Sequence, residues 1–336
     1  MTATSAPIVT FGEILLRLSP PGVERLFQSP ELRTWWGGAE ANVAAGLAWL
    51  GTPSAHVTLL PENPPGDAAL RALRADGVDM SHVQRRPGRL GLYFLESGAG
   101  QRPLQVTYDR AGSVFASQSG TEFDWSRILA GAAGLHLSGV SAALGDAPYA
   151  AMRAAMAAAQ AANVPVSLDL NYRPALWGAR DARPLMQPLA AGASMLIGNP
   201  GAIERMLGIA TAGTWPETPE AVRETARAVH ATYGCARVAI TQREIISASE
   251  HGWQAHLFDS VSGKFWTARR YQVQLVDRVG GGDSFAAALL HALRTGSTPE
   301  QALHFATAAG ALKLTIAGDV NRVTATDVTT FLHSMR

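Results

Sequence analysis

The chain has 336 residues, with 28 Lys and Arg against 27 Asp and Glu, and this near balance excludes the strongly basic field expected of a nucleic-acid or anionic-membrane binder. A hydrophobic content of 47% and a charged content of 16% predict a globular protein, and 1–336 is interpreted as a single domain. The one cysteine, Cys235, excludes an internal disulfide and favours a reducing, cytoplasmic setting. We expect neither a signal peptide nor a membrane helix, because every long apolar stretch is interrupted by polar residues, Gly or Pro.

Short apolar runs alternate with helical patterns along the chain. The predicted strands are, in order, 8–11, 134–138, 165–170, 194–197 and 237–241. The predicted helices are 41–50, 148–163, 219–233, 284–294 and 299–316. Because such alternation is typical of a mostly parallel sheet between helices, we expect an α/β fold with three layers, α/β/α.

Two regions depart from this alternation, 15–36 and 90–112. Both have a strand-like pattern of side chains, as in Leu92 and Phe94, so we expect them to form a small β-sheet that covers a cleft. A lid of this kind would exclude water from a reaction in the cleft. The Pro-rich segment 61–66 is predicted to be a turn within the domain.

The strongest local signal is the segment 276–285, Val-Asp-Arg-Val-Gly-Gly-Gly-Asp-Ser-Phe, which precedes an Ala- and Leu-rich helix. Gly280, Gly281 and Gly282 allow backbone N–H groups to converge on an anion at the positive end of the helix dipole. Asp283 beside this anion hole is suited to accept the proton of a hydroxyl group during phosphoryl transfer. The alternative role for Asp283 is a plain helix N-cap, because Asp is common there.

Other catalytic motifs fit poorly. The Gly-Lys-Phe at 263–265 lacks the upstream Gly and the following hydroxyl residue, so a P-loop kinase is excluded. The glycines near the C-terminus do not follow the spacing of a dinucleotide-binding loop. The nine histidines lack H-x-x-x-H and H-E-x-x-H spacing, so no histidine metal cluster is expected.

The segment 277–283 resembles the Asp-Thr-x-Gly-Ala-Gly-Asp signature of PfkB-type, ribokinase-like sugar kinases. The segment 36–44, Trp-Gly-Gly-Ala-Glu-Ala-Asn-Val-Ala, is similar to the N-terminal Gly-Gly-x-x-x-Asn-x-Ala segment of that family. The resemblance implies a ribokinase-like fold with a β lid, ATP and Mg²⁺ as cosubstrate and cofactor, and a dimer formed through the lid. The resemblance also suggests a site for a monovalent cation such as K⁺ beside Asp277.

Within that family the likeness is closest to 2-keto-3-deoxygluconate kinases, because of 12–20, 91–93, 108–110 and 168–173. It implies transfer of phosphate from ATP to the primary (6-) hydroxyl of this small sugar acid, with Asp283 as the base. The implied sugar contacts are Gly38, Asn42, Tyr93, Tyr108, Arg110, Arg173 and Asp319. Two of these, Arg110 and Arg173, offer the planar donor forks that bind a carboxylate, although ion-pair or surface roles are the alternative. The two tyrosines are equally interpretable as lid-core aromatics.

The resemblance places the ATP contacts at Asn171, Asn199, Thr241 and Arg243, where two departures occur. The family's Asn-x-x-Glu element reads Asn-Pro-Gly-Ala at 199–202, so its acid is missing. The loop after the strand at 237–241 lacks the usual Gly and Lys, and Arg243 either replaces the lysine or pairs with a neighbouring acid. Two alternatives therefore stay open: a kinase of a neutral ketose such as fructose, and a sugar-binding protein that has lost catalysis.

Overall fold

A ten-stranded sheet forms the centre of the molecule. The computed structural model describes residues 6–211 and 217–334, in which a second sheet of four strands lies apart from the first. The strands are β1 (Ile8–Phe11), β2 (Leu15–Ser19), β3 (Arg33–Gly37), β4 (Ser54–Pro61), β5 (Val83–Arg86), β6 (Gly91–Glu96), β7 (Gln105–Asp109), β8 (Gly134–Ser138), β9 (Val166–Asp169), β10 (Met195–Gly198), β11 (Arg237–Ser247), β12 (Glu250–Asp259), β13 (Lys264–Thr267) and β14 (Tyr271–Gln274). The helices are α1 (Ala39–Trp49), α2 (Pro64–Ala75), α3 (Trp125–Ile128), α4 (Gly139–Ala143), α5 (Asp146–Ala161), α6 (Pro174–Trp177), α7 (Arg183–Gly192), α8 (Pro200–Leu207), α9 (Pro219–Tyr233), α10 (Gly281–Arg294), α11 (Pro299–Lys313) and α12 (Ala325–Ser334).

The large sheet is mostly parallel. Its order is β13-β12-β11-β10-β9-β8-β1-β4-β5, and β14 also pairs with β12. The strands from β11 to β5 run parallel, whereas β12, β13 and β14 form an antiparallel edge. Strands β1, β4, β8, β9 and β10 are buried along their whole length. Burial on both faces explains why these strands read as unbroken apolar runs.

Helices cover both faces of the large sheet. One hydrophobic core includes side chains from α1, α10, α11 and α12, and the other includes side chains from α3, α5, α7, α8 and α9. The predicted three-layer α/β/α architecture is confirmed. Of the helices in 6–211 and 217–334, none is long and apolar enough to cross a bilayer.

The sequence pattern located some elements of the fold with the correct bounds and missed others. The strands predicted at 8–11 and 134–138 and the helix predicted at 219–233 have the bounds that the structure shows. The turn predicted at 61–66 is wrong over its second half, because Asn63 caps α2 and the two prolines begin that helix. Proline is favourable in a first helical turn, where its missing N–H costs nothing. The pattern missed β4, although this strand is buried along its whole length, and it also missed the edge strands β5, β12, β13 and β14.

The second sheet has the order β3-β2-β6-β7 and forms from the two regions predicted to make a small sheet. Strand β2 pairs antiparallel with β3 and parallel with β6, and β6 and β7 form a hairpin. We call this the lid sheet. In the loop that connects β6 to β7, the Gly100 carbonyl accepts a hydrogen bond from the Ala248 N–H at 3.0 Å. The lid sheet therefore meets the turn between β11 and β12.

Candidate active site

A cavity of about 620 Å³ lies between the lid sheet and the carboxyl ends of the parallel strands. Clefts at this edge of a parallel sheet are where α/β proteins commonly bind ligands. The residues predicted for catalysis, the anion hole, the sugar and the nucleotide all line this one cavity: Gly38, Asn42, Tyr93, Tyr108, Arg110, Asn171, Arg173, Asn199, Thr241, Arg243, Gly280, Gly281, Gly282, Asp283 and Asp319.

Asp283 lies in the first turn of α10 and is buried. Its Oδ2 accepts a hydrogen bond from Asn42 Nδ2 at 2.7 Å, and its Oδ1 faces Asn171 Nδ2 at 3.4 Å. The N-cap of α10 is Gly280, so the alternative role of Asp283 as a plain N-cap is wrong. The two asparagines hold the carboxylate toward the cavity, where it can accept a proton.

The surroundings of Asp283 raise its basicity. Burial is the main cause that raises its pKa above that of an ordinary aspartate, and the nearby Asp319 adds to this effect. Asn42, Arg173 and Asn171 oppose the increase because they stabilise the charged form. A carboxylate of raised pKa is a better proton acceptor than a solvated one once it is ionised.

The glycine turn before α10 leaves room for an anion. Gly280 has a φ of 79°, and a Cβ there would lie 2.1 Å from the carbonyl oxygen of Asp319, so this position requires glycine. A Cβ on Gly282 would meet no atom within 4 Å. Gly281 and Gly282 open α10, and the first N–H groups of an α-helix have no acceptor within the helix. The turn thus presents backbone donors to the cavity at the positive end of the helix dipole.

The residues predicted to contact the sugar, here called the sugar-side residues, include one hydrogen-bond acceptor without a partner. The side-chain oxygen of Asn42 is buried and has no hydrogen-bond partner in the described part of the chain. Since buried polar atoms are usually paired, this oxygen is well placed to receive a ligand hydroxyl group. Gly38 lies against the chain at Glu13, because a Cβ there would be 2.1 Å from the carbonyl oxygen of Glu13.

Three of the sugar-side side chains bind other protein groups. The Arg110 Nε donates to Glu13 Oε2 at 2.8 Å, so Arg110 both lines the cavity and forms a buried ion pair. The Tyr93 hydroxyl donates to Asp319, whose other oxygen lies 3.0 Å from Arg17 Nη1. The Tyr93 and Tyr108 rings are 6.0 Å apart on the lid sheet. The predicted alternatives, an ion pair for Arg110 and lid packing for the tyrosines, thus coexist with a position at the cavity.

Three arginines lie near one another in the half of the cavity that is predicted to bind the nucleotide: Arg173, Arg243 and Arg278. Desolvation, together with the charges of Arg278 and Arg173, lowers the pKa of Arg243 to about 10. No ion pair to an acidic residue is formed by Arg243 within 6–211 and 217–334, and its neighbour Glu244 pairs with Arg270 instead. The three like charges create a positive wall that suits a polyphosphate.

Asn199 and Thr241 complete this half. Asn199 caps α8, and its Oδ1 accepts from the Ala202 N–H at 2.9 Å. Its side-chain amide therefore supports the helix start at the cavity wall. Thr241 lies at the cavity on β11, in the part of that strand that the sequence pattern identified.

Asp169 is a cavity residue that the sequence analysis did not assign to the site. It is the last residue of β9, and its Oδ1 accepts from the Asn171 N–H at 3.0 Å. Burial and the charge of Asp283 raise its pKa to about 7. The signal was available, because a polar residue at the carboxyl end of a parallel strand commonly faces the ligand. Arg278 was likewise not assigned to the site.

The residues at this wall fit a magnesium ion that arrives on a nucleotide. The part of the chain that the structure describes contains no cluster of three or more His, Cys, Asp or Glu side chains able to hold a metal by itself. Mg²⁺ is commonly held by one or two carboxylates together with phosphate oxygens and water. Asp169 offers such a carboxylate beside Asp283.

Comparison with known proteins agrees with this site. The 2-dehydro-3-deoxygalactonokinase of Haloferax volcanii is 31% identical to the chain over 324 residues, which cover 96% of each protein. The crystal structure of 2-dehydro-3-deoxygluconokinase from Thermotoga maritima is 41% identical and has a TM-score of 0.93, with 98% of both chains covered. A PfkB family carbohydrate kinase from Listeria grayi is 34% identical with a TM-score of 0.90, covering 97% of this chain and 99% of its own.

The model of the pfkB family of carbohydrate kinases matches residues 5–325, nearly the whole chain. The match includes both glycine-containing segments that the sequence analysis singled out, 36–44 and 277–283. The protein therefore belongs to the pfkB family of carbohydrate kinases.

Proposed function

We propose that the protein transfers the γ-phosphoryl group of ATP to the primary (6-) hydroxyl of 2-keto-3-deoxygluconate, the compound also called 2-dehydro-3-deoxygluconate. The observation that carries this proposal is the position of Asp283, buried beside the open first turn of α10 and held by Asn42 and Asn171. The names of the similar kinases from Thermotoga maritima and Haloferax volcanii support a keto-deoxy sugar acid as the acceptor.

The proposed chemistry is a single in-line transfer. Asp283 accepts the proton of the 6-hydroxyl while the oxygen of that hydroxyl forms a bond to the γ-phosphorus. The bond from that phosphorus to the β–γ bridging oxygen breaks, and ADP leaves with the electron pair of that bond. The N–H groups of Gly281 and Gly282 face the charge on the equatorial oxygens, which a preorganised donor set stabilises strongly.

The nucleotide is proposed to lie along the arginine wall. Arg243 and Arg278 are the cations that would bind the polyphosphate, together with Asn199 and Thr241. Asp169 would hold Mg²⁺ through its carboxylate or through water ligands of the ion. When bound, the ion supplies charge neutralisation to the phosphates.

The sugar acid is proposed to lie under the lid sheet. Asn42 would bind a hydroxyl through its unpartnered oxygen, and Gly38 would allow close approach of the sugar. Arg110 would offer its remaining donors to the carboxylate. Arg173 is exposed and free of ion pairs to acidic residues among 6–211 and 217–334, and its Nη1 donates to the Tyr172 carbonyl at 3.4 Å, so its other donors are available to the acid or to the phosphoryl group in transit.

The lid sheet is proposed both to close the cavity and to join two copies of the chain. Its inner face buries Leu15 and Leu95, whereas Leu92 and Phe94 on its outer face are only half-buried. Phe27 packs on Phe94 with ring centroids 6.0 Å apart and remains 71% exposed. An apolar surface of this kind suits a dimer interface.

Two other functions stay possible on the same fold. A neutral ketose such as fructose would use the same base without a need for a carboxylate fork. A sugar-binding protein without catalysis would follow if the missing acid at Ala202 or the altered loop at 241–247 disabled nucleotide use. The position of Asp283 favours catalysis over binding alone.

The test measures ADP release with Mg²⁺ and ATP over 2-keto-3-deoxygluconate, 2-keto-3-deoxygalactonate, 5-keto-2-deoxygluconate, fructose and ribose. We expect turnover of keto-deoxy acids and a loss of about 10²- to 10⁴-fold in kcat for Asp283→Asn, which is the usual range for a general base. Asp181→Asn, on a surface residue paired with Arg183, is the matched control. Turnover of fructose alone would show that the substrate is a neutral ketose and not a sugar acid. No turnover of any sugar would favour a sugar-binding protein without catalysis.

The carboxylate fork needs a paired variant in the same experiment. Arg110→Ala alone would leave the buried Glu13 unpaired and cost about 3–5 kcal/mol of stability, which would confuse the result. The double variant Arg110→Ala with Glu13→Gln removes both charges. We expect its KM for the acid to rise by about tenfold or more because a charge-assisted pair is lost, with little change for a neutral sugar. An equal change in KM for the acid and for the neutral sugar would show that Arg110 does not recognise the carboxylate.

A further inference from the structure

Lys313 is a completely buried lysine that the proposed reaction does not use. It is the last residue of α11, and its side chain is 0% exposed. Its Nζ donates to the carbonyl oxygen of Ile316 at 3.0 Å. An ammonium group is costly to bury unless nearby groups compensate its charge, so its surroundings show what keeps it there.

The side chain of Lys313 lies directly behind the anion hole. A Cβ on Gly280 would be 3.3 Å from the Lys313 Cε, so the lysine packs against the first residue of the glycine turn. Asp277, Asp319 and Asp283 attract its charge, while Arg17 repels it. Burial lowers the pKa of Lys313 below its ordinary value, and these carboxylates oppose that decrease. Three carboxylates thus face two buried cations, Arg17 and Lys313.

The carboxylate of Asp277, which a monovalent cation would need as a ligand, already binds other protein groups. Asp277 Oδ2 lies 2.7 Å from Arg17 Nη1 and accepts from the Gly318 N–H at 3.0 Å, and Asp277 Oδ1 accepts from the Val279 N–H at 3.1 Å. The nearby carbonyl of Ile316 is bound by Lys313. An added ion would also be repelled by both side-chain cations. The residues at Asp277 therefore do not fit a K⁺ ion.

We propose that the ammonium group of Lys313 is a built-in cation behind the anion hole and takes the place of a monovalent metal ion. It binds the segment at Ile316 and balances the charge of Asp277 and Asp319, whose backbone lies against Gly280. Lys313 is thus a positioning residue that keeps the glycine turn in shape and electropositive. This inference rests on the proposed kinase function for its catalytic part.

The first test uses the unaltered protein. The rate with the sugar acid that the panel identifies and the melting temperature are measured in potassium, sodium and choline chloride at equal ionic strength. We expect the same rate and the same melting temperature in all three salts. A rate or melting temperature that is clearly higher in potassium than in choline would overturn the proposal. Because this arm needs no variant, it decides the question even where a variant does not fold.

The second test replaces the lysine. Lys313→Met keeps the length of the side chain and removes its charge, and we expect a loss of about tenfold or more in kcat, since a preorganised charge behind the anion hole is lost. Potassium or ammonium chloride should restore part of the rate and raise the melting temperature of this variant, whereas choline should not. A purely structural lysine would lower the melting temperature without such selective recovery, and that outcome would also refute the proposal.

The matched control is Lys264→Met, because Lys264 is exposed on β13 and is the only other lysine of the sequence. It should behave as the unaltered protein in every salt. If no sugar is phosphorylated in any salt, the kinase function fails. The melting temperatures of the unaltered protein and of Lys313→Met would then still decide whether Lys313 replaces the ion.

Discussion

At the scale of single residues, buried carboxyl groups lie at and near the cavity. Glu40 in α1 is fully enclosed, and its Oε1 accepts from the hydroxyls of Ser138 at 2.7 Å and Ser141 at 2.8 Å. Burial is the main cause that raises the pKa of Glu40 to about 7. Asp169 shares this raised value because of burial and the charge of Asp283. Carboxyl groups with raised pKa values thus lie close to the cavity, as is common at functional sites.

Glu40 predicts a pH dependence of stability. Between the pKa of an unfolded glutamate and about 7, the folded protein binds more protons at Glu40 than the unfolded one, so stability falls as the pH rises. Glu40→Gln removes this dependence, and its stability relative to the unaltered protein should increase by about 3 kcal/mol from pH 4.5 to 8. Urea unfolding at both pH values measures the difference. Glu300→Gln, on the exposed start of α11, is the control. A stability difference between Glu40→Gln and the unaltered protein that is the same at both pH values would contradict the expectation.

At the scale of elements, the start of α10 combines a tight backbone with an open surface. Gly280 is enclosed by the backbone at Asp319, whereas Gly282 faces open space in the cavity. Both positions lie within the signature that the sequence shows, yet only their packing separates a folding role from a binding role. The lid sheet is tied to the same region, because Arg17 of β2 reaches Asp277 at 2.7 Å.

Alanine substitutions should separate these two roles. Gly282→Ala should fold with an unchanged or higher melting temperature, because alanine is the better helix former by up to about 1 kcal/mol. Its kcat should fall by about tenfold or more, since the methyl group would obstruct the anion hole. Gly280→Ala should lower the melting temperature through the overlap with Asp319. A Gly282→Ala enzyme of full activity would show that the phosphoryl group does not bind at this turn.

At the scale of the whole molecule, the outer face of the lid sheet has the character of a contact surface. Phe27 adopts a φ of 63°, which is rare for a bulky residue, and it holds this conformation while 71% exposed. It packs on Phe94 rather than on the main body. A strained and exposed aromatic side chain is costly for an isolated chain, which supports the proposed dimer.

The dimer gives a direct prediction. Sedimentation should show twice the mass of one chain at micromolar concentration, and Phe27→Asp should shift the protein toward the monomer because a charge would be buried at the interface. Val261→Asp changes an exposed valine between β12 and β13 and should leave the mass unchanged. A monomeric unaltered protein would exclude pairing through the lid at that concentration.

The sequence by itself determined the alternation of strands and helices, the glycine turn and the place of Asp283 beside it, because these depend on neighbouring residues. Apolar runs and helix starts locate the elements of the central layers, and the segment 277–283 places three glycines and Asp283 at a helix start. The resemblance to a known family added the residues predicted to contact the sugar and the nucleotide, and all of those residues line one cavity.

The tertiary structure alone decided which side chains act on one another. Asn42 lies 241 positions from Asp283, and Arg110 lies 97 positions from Glu13. Local sequence patterns do not predict such pairs, because their contact depends on the order of the strands in the sheet and on the position of the lid sheet. The same holds for Lys313, which reads as an ordinary basic residue at a helix end until the fold encloses it behind the anion hole.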